Sequence, residues 1–291
     1  PRQLISHTHL IYSSPATLAF NSPGAEGFGV KRAGLAVPDS VMLIVSPGCC
    51  GRNTSVLSSM RAYQDRFYYL LMDETDIVTG RHLKKIPKAV AEICEGLKKK
   101  PSVVMICITC VDALLGTDME RVCHKAEEYA GVPVRPCYMY ALTREGRKPP
   151  MVHVRQSVYS LLEPKKKKGN VVNLLGYFSP LTDDCELYDL LHGAGVKTIH
   201  EISRCKDYAQ YQTMSEANFN LVLHPEARFA AEDFHDRLKI PYIELRRLYQ
   251  IDKIASQYRA FAAALGVEFE DEIPRKAAEE AVEKFREIHP D

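Results

Sequence analysis

The sequence predicts an α/β protein made of two tandem Rossmann-like domains, each built on a parallel sheet. Short apolar runs rich in Val, Ile and Leu alternate with segments of helical periodicity, as expected for a parallel sheet covered by helices. The lysine-rich segment "EPKKKKGN" (163–170) interrupts this alternation, and the same rhythm restarts after it. We therefore expect one domain at residues 1–168 and a second at residues 169–291.

In the first domain, apolar runs of strand length occupy residues 41–45 and 103–108. The glycine-rich "GAEGFG" (24–29) lacks the dinucleotide-binding spacing, and no helical pattern is evident behind it. The other predicted elements are helices at 55–67, 86–99 and 112–129 and a strand within "GVPVRPCYM" (131–139).

In the second domain, a predicted strand followed by a predicted helix occurs four times. A strongly amphipathic helix at residues 273–288 closes the chain. The predicted strands lie in "NVVNLLG", "VKTIHEI", "FNLVLHP" and "IPYIEL", and the predicted helices at 183–192, 208–217, 227–238 and in "DKIASQYRAFAAALG".

Charge and hydropathy narrow the classes of partner. Thirty-eight basic and 37 acidic residues give a net charge of +1, which offers no electrostatic basis for binding nucleic acid or an anionic membrane. No apolar stretch has membrane-spanning length and no segment resembles a signal peptide, so we expect a cytoplasmic protein. Neither half carries a phosphate-binding glycine motif after a strand, so no nucleotide site is predicted.

The nine cysteines make metal binding or redox chemistry the central question, because an odd number in a reducing compartment does not indicate a disulfide framework. Cys49 and Cys50 follow the strand at 41–45, and Cys110 follows the strand at 103–108. Open α/β sheets place their chemistry at such carboxyl ends. Cys107 forms a C-x-x-C motif with Cys110. Because this motif continues a strand and lacks the turn of a zinc knuckle, a zinc site is the less favoured interpretation. The remaining cysteines are interpreted as structural: Cys94, Cys123, Cys137, Cys185 and Cys205.

The segments "SPGCC", "ETDIVTGRHLKKIPKAVAEI" and "ICITCVDALLGTDMERV" resemble the nitrogenase component 1 family of oxidoreductases, and the second domain extends the likeness. The resemblance implies that Cys49 and Cys110 bind an iron–sulfur cluster, with Cys50 and Cys107 as alternates. A 4Fe-4S cluster needs about four protein ligands. Two ligands per chain therefore imply a cluster shared between two chains, in a homodimer or a closely related heterodimer.

The resemblance also implies a function. The chain would accept electrons from a separate ATP-hydrolysing iron–sulfur protein and reduce a small-molecule substrate, for which a tetrapyrrole is one candidate. The sequence identifies neither catalytic residues nor a second cofactor at the substrate site. Two alternatives stay open: a non-catalytic scaffold for metallocofactor assembly, and a two-lobed small-molecule binding module.

The chain departs from the family pattern in two places. Asn21 and Ser22 stand where many members have a further cysteine, and no third domain follows the helix at 273–288. We therefore expect an incomplete substrate cavity and an unsupported apolar face on that helix. Cys205 is the one candidate for a larger metal cluster, and it lacks a histidine partner. Spacing singles out none of the histidines considered for proton transfer, which are His7, His9, His153, His200 and His224.

Overall fold

The computed structural model describes residues 23–48, 58, 60–109, 111, 115–139, 148–268 and 272–289. The chain divides into two compact units, the first comprising Pro1–Glu163 with Ile202–Thr213 and the second Pro164–Glu201 with Met214–Asp291. The chain first passes from the first unit to the second between Glu163 and Pro164, within the lysine-rich segment. The domain limits 1–168 and 169–291 stay a prediction, because compactness alone does not show which segments fold independently.

Among its described residues, the first unit contains four parallel strands in the order β2-β1-β3-β4. Its strands and helices up to residue 163 are α1 (Pro23–Gly34), β1 (Val41–Ser46), β2 (Phe67–Leu71), α2 (Glu74–Thr79), α3 (His82–Gly96), β3 (Val104–Ile108), α4 (Met119–Ala130), β4 (Val134–Tyr138) and α5 (Pro150–Tyr159).

The described part of the second unit contains four further parallel strands in the order β6-β5-β7-β8. The elements after residue 163 are β5 (Val171–Leu175), α6 (Glu186–Gly193), β6 (Thr198–His200), α7 (Tyr208–Gln212), β7 (Phe219–Val222), α8 (Arg228–Leu238), β8 (Tyr242–Glu244), α9 (Ile251–Leu265) and α10 (Glu272–Ile288); of these, α7 belongs to the first unit. The predicted α/β fold with parallel sheets is confirmed.

Helices cover both faces of the first sheet. Leu43 and Val45 of β1 point into a core shared with Ile86 and Val90 of α3. On the opposite face α1 packs closely, because a β carbon on Gly34 would come 2.7 Å from the Cε atom of Met42. Buried apolar side chains of this size each contribute roughly 2 kcal/mol to folding. The sheet is therefore the rigid frame from which the loops at its carboxyl edge emerge.

The second sheet is also covered on both faces. Leu174 and Leu221 pack in a core with Leu191 of α6 and Phe261 of α9. Helix α8 contacts β7 and β8.

Three sequence-based elements differ from the structure. The predicted helix at 55–67 is wrong at its end, where Arg61–Tyr63 forms a 3-10 turn and Phe67 begins β2. Helix α1 runs through "GAEGFG", where no helix was predicted. The single helix predicted at 112–129 is interrupted: Leu115 is helical, the chain turns at Gly116, and α4 begins at Met119, where the Asp118 side chain accepts a hydrogen bond from the Arg121 amide and caps the helix.

The last helix, α10, packs against α9 and is tied to it by an ion pair between Arg275 and Asp252. Its apolar side chains Phe285 and Ile288 are 63% and 64% exposed. Across the described part of the chain, no helix combines the length and the apolar character needed to cross a membrane.

Candidate functional site

The carboxyl ends of β1 and β3 lie side by side in the first sheet. The two strands pair in parallel, with Val45 opposite Ile108 at the end of the ladder. Both strands form because they are runs of buried apolar residues, as the interior of a parallel sheet requires. With the order β2-β1-β3-β4, the chain changes direction across the sheet between these two strands, the usual position of a ligand site in open α/β sheets.

Two buried hydroxyl groups mark this edge. Ser46 ends β1 and is 0% exposed, and Thr109 follows β3 and is 1% exposed. Neither the Ser46 Oγ nor the Thr109 Oγ1 has a hydrogen-bond partner among the described residues. Buried polar groups are nearly always paired in proteins, so two unpaired ones at adjacent strand ends require an explanation.

The predicted ligands Cys49, Cys50 and Cys110 lie outside the described residues. Their places in the chain are fixed relative to the strands. Cys49 is three residues after Ser46, and Cys110 directly follows Thr109.

The predicted alternate Cys107 lies inside β3 and is completely buried. It pairs in register with Cys137 of β4. A hydrogen bond between the two thiols raises the pKa of Cys137 well above its ordinary value, and burial raises it further. The Cys137 Sγ also lies 3.6 Å from the Val30 carbonyl oxygen of α1, which is an alternative acceptor for its single S–H. These two cysteines form a thiol pair within the core.

The other described cysteines are separate from one another and partly or wholly buried. Burial raises the pKa of the Cys94, Cys123 and Cys185 thiols, and it raises the pKa of Cys205 to about 11. Among the described residues, no three His, Cys, Asp or Glu side chains are grouped so as to hold a metal ion.

The segment "ETDIVTG", one of those that carry the family resemblance, forms helix α2 at the carboxyl end of β2. Asp73 and Asp76 form a capping box, in which each carboxylate accepts from the other's backbone amide. The hydrogen bond from Lys85 lowers the pKa of Asp76 below its usual value. These contacts fix the turn after β2, next to the strand that leads to Cys49.

In the second unit, the loops after β5 and β7 touch at the carboxyl edge of the sheet. Gly176 has a φ of 138° and lies against the backbone of His224. The imidazole of His224 accepts from the Glu226 amide through Nδ1 at 3.3 Å and packs edge-on against the Tyr177 ring. Arg247, which follows β8, donates to the Tyr177 hydroxyl at 3.0 Å. Sequence spacing did not reveal this cluster, because it joins three separate loops.

A cavity of about 240 Å³ opens at the same edge, between α6 and α9. Its wall includes Cys185, Arg246, Arg247 and Tyr258. Pockets for drug-sized ligands usually measure roughly 300 to 1,000 Å³, so this cavity by itself suits a smaller molecule.

The histidines considered from the sequence have different environments. His7 and His9 lie outside the described residues. His153 packs edge-on against the Tyr138 ring, and burial, reinforced by Lys148, lowers its pKa to about 4. Burial also lowers the pKa of His200 at the end of β6. Burial therefore favours the neutral form of both imidazoles.

Comparison with known proteins identifies a family and several relatives. The model of the nitrogenase component 1 type oxidoreductases matches residues 26–291. The nitrogenase iron-molybdenum cofactor biosynthesis protein NifE of Nostoc sp. strain PCC 7120 is 27% identical over 239 residues, covering 79% of this chain and 49% of that protein. NifE of Klebsiella pneumoniae is 26% identical over 266 residues, covering 84% of this chain and 58% of that protein.

The solved structure of nitrogenase Cp1 at pH 6.5 superposes with a TM-score of 0.60 at 18% identity, covering 82% of this chain and 57% of that one. This likeness shows the shared fold. The chain spans about half the length of the curated relatives it matches. Because the family model covers nearly the whole chain, the recognition made from the cysteine-bearing segments is confirmed: the chain belongs to the nitrogenase component 1 type oxidoreductases.

Proposed function

We propose that this chain is an electron-transfer component of the nitrogenase component 1 type, with Cys49 and Cys110 as ligands of an iron–sulfur cluster. The observation that carries the proposal is the pairing of Val45 with Ile108, because it sets side by side the two strand ends that precede Cys49 and Cys110 in the chain. Thiolates are the usual protein ligands of iron–sulfur clusters.

The described residues at this edge fit such a group. Ser46 and Thr109 are buried at the ends of β1 and β3, and their hydroxyl groups have no hydrogen-bond partner in the part of the chain that the structure describes. Hydroxyl groups can donate to the sulfur atoms of a cluster or of its thiolate ligands. A ligand rich in sulfur would therefore satisfy groups that no described side chain satisfies.

Ligand number supports a two-chain assembly. A 4Fe-4S cluster takes about four protein ligands, and Cys49 and Cys110 supply two per chain. A homodimer, or a heterodimer with a closely related chain, would complete the set. When bound, the cluster supplies one-electron transfer at low potential.

The electron donor in this proposal is a separate ATP-hydrolysing iron–sulfur protein. The strand-to-helix turns of this chain carry no phosphate-binding glycine motif, so nucleotide hydrolysis is assigned to the partner. The acceptor is a small molecule. A tetrapyrrole remains a candidate substrate, but it exceeds the cavity of about 240 Å³ in the second unit and would need a larger site.

A second candidate function is a scaffold for metallocofactor assembly. The observation that favours it is the name of the relatives, which are iron-molybdenum cofactor biosynthesis proteins. A scaffold uses the same cluster-binding edge but releases a metal cofactor to another protein instead of reducing a substrate. A plain binding module is the third possibility and requires no iron at all.

Metal analysis of anaerobically purified protein tests the proposal. The wild type should contain iron and acid-labile sulfide, and Cys49→Ser or Cys110→Ser should lose both. Cys94→Ser is the matched control. Cys94 lies on α3 and is not a proposed ligand, so this variant should retain the iron. Colourless wild-type protein without iron would contradict the proposal and favour the binding module.

A second measurement separates the reductase from the scaffold. The iron-loaded protein is incubated with an ATP-driven iron–sulfur donor, and both substrate reduction and loss of metal to an apo-acceptor protein are followed. Reduction without net metal loss supports the reductase. Transfer of metal to the acceptor without multiple turnovers supports the scaffold.

A further inference from the structure

We infer that Ser46 and Thr109 donate hydrogen bonds to the sulfur atoms of the cluster bound by Cys49 and Cys110, and so raise its reduction potential. The inference rests on the proposed function and adds two residues to it. Both would be positioning residues, since they bind no iron themselves.

The first support is the burial of two unpaired donors. Ser46 and Thr109 are almost completely buried, and their hydroxyl oxygens lack partners among the described residues. Leaving a buried hydroxyl unpaired costs free energy, and native proteins rarely retain such groups without a reason. A ligand that supplies acceptors at this edge would remove that cost.

The second support is the position of the two residues in the sheet. Val45 and Ile108 form the last pair of the ladder between β1 and β3, and Ser46 and Thr109 directly follow them in the chain. The two residues therefore lie at the neighbouring strand ends that lead directly to the proposed ligands.

The third support is their distance along the chain from those ligands. Thr109 immediately precedes Cys110, and Ser46 precedes Cys49 by three residues. Hydrogen bonds to the sulfur atoms stabilise the more negative, reduced cluster. Removal of either donor should therefore make the cluster harder to reduce.

A buried water bridging the two hydroxyl groups is the competing explanation. Such a water would satisfy them in the absence of any cluster. The two explanations differ in the iron-free chain. In the iron-free chain, removing an unpaired hydroxyl group should not lower the stability of the fold. Removing a hydroxyl group that is paired through water should lower it.

The test uses Ser46→Ala and Thr109→Val in the full chain, with Ser102→Ala and Thr79→Val as matched controls. The control hydroxyl groups are bonded to the carbonyl oxygens of Pro38 and Thr75, and neither control residue ends or directly follows β1 or β3 in the chain. Two quantities are measured. One is the midpoint potential of the cluster, from a redox titration followed by EPR, and the other is the unfolding temperature of the chain after iron is removed by chelation.

We expect Ser46→Ala and Thr109→Val to keep their iron, to lower the midpoint potential, and to leave the unfolding temperature of the iron-free chain unchanged or higher. The controls should keep the wild-type potential. A wild-type midpoint potential in both test variants, or a lower unfolding temperature of their iron-free chains, would overturn the inference. Neither result would contradict the proposed cluster itself. A wild type that binds no iron would overturn the proposed function, and this inference with it.

Discussion

Gly176 lies so close to His224 that a β carbon at position 176 would come 2.7 Å from the His224 amide nitrogen. The contact joins the loops after β5 and β7 at the carboxyl edge of the second sheet. Because the obstructing atom belongs to the backbone, a side-chain rotation cannot relieve the clash. The φ of 138° at Gly176 is also one that other residues rarely adopt.

Gly176→Ala should therefore destabilise the protein by at least about 2 kcal/mol. Gly193→Ala is the matched control, because Gly193 ends α6 and a β carbon there would meet no atom within 4 Å. Urea unfolding followed by circular dichroism would measure both. Equal midpoints for the two variants would show that the loops can separate without cost.

Arg66 ties the segment before β1 to the start of β2. Its guanidinium donates to the carbonyl oxygens of Leu35, Val37 and Ser40 and to the Ser40 hydroxyl. A lysine ammonium cannot reach these acceptors with the same planar geometry. We expect Arg66→Lys to lower the free energy of unfolding by roughly 2 kcal/mol. The exposed Arg61→Lys is the control, and a similar loss there would show that the network has no special role.

The stability of the first unit should fall in mild acid because of His153. Burial and the nearby Lys148 lower the pKa of His153 to about 4 in the folded chain, below the unfolded value of 6.5. The unfolded chain therefore takes up a proton between pH 6.5 and about 4 that the folded chain does not. The free energy of unfolding decreases through this range, by about 2 kcal/mol between pH 7 and pH 5.

Urea titrations at pH 7 and pH 5 check this. His153→Gln should show a smaller decrease than the wild type, because glutamine does not titrate. His124→Gln, at an exposed position of α4, should keep the wild-type decrease. Identical decreases in His153→Gln and the wild type would contradict the assignment.

Replacing the alternate cysteines tests which thiols bind the iron. Cys107 is buried in β3 beside Cys137, so Cys107→Ala should keep a full iron content while lowering stability by about 1 kcal/mol. Cys50→Ser should also keep its iron. Loss of iron from Cys107→Ala, measured beside a correctly folded circular dichroism spectrum, would move the ligand assignment into the strand.

The buried parallel strands were predictable from the sequence, and the edge strand β2 was not. Strands β1 and β3 are unbroken apolar runs because helices cover both of their faces. Strand β2 lies at the edge of the sheet, with Tyr69 and Leu71 partly exposed. Its sequence "FYYLL" is apolar or aromatic throughout and lacks the alternation typical of a half-buried strand, so no strand was predicted there, and Phe67 alone was assigned, as the last residue of a helix.

The candidate site was only partly predictable. The places of Cys49 and Cys110 after two strands follow from local pattern alone. The burial of the Ser46 and Thr109 hydroxyl groups, without partners among the described residues, does not follow from local pattern, because it depends on how β1 pairs with β3. Contacts between segments far apart in the chain, such as Gly176 with His224, are likewise absent from any local pattern.

Native mass spectrometry of the anaerobically purified protein tests the central claim most directly. If Cys49 and Cys110 of two chains share one cluster, the dominant species should be a dimer that carries four irons and four sulfides. Removal of the iron with a chelator should increase the monomer fraction, because the cluster that is bound by cysteines of both chains no longer holds them together. A monomer that retains four irons, or a dimer without iron, would contradict the bridging cluster.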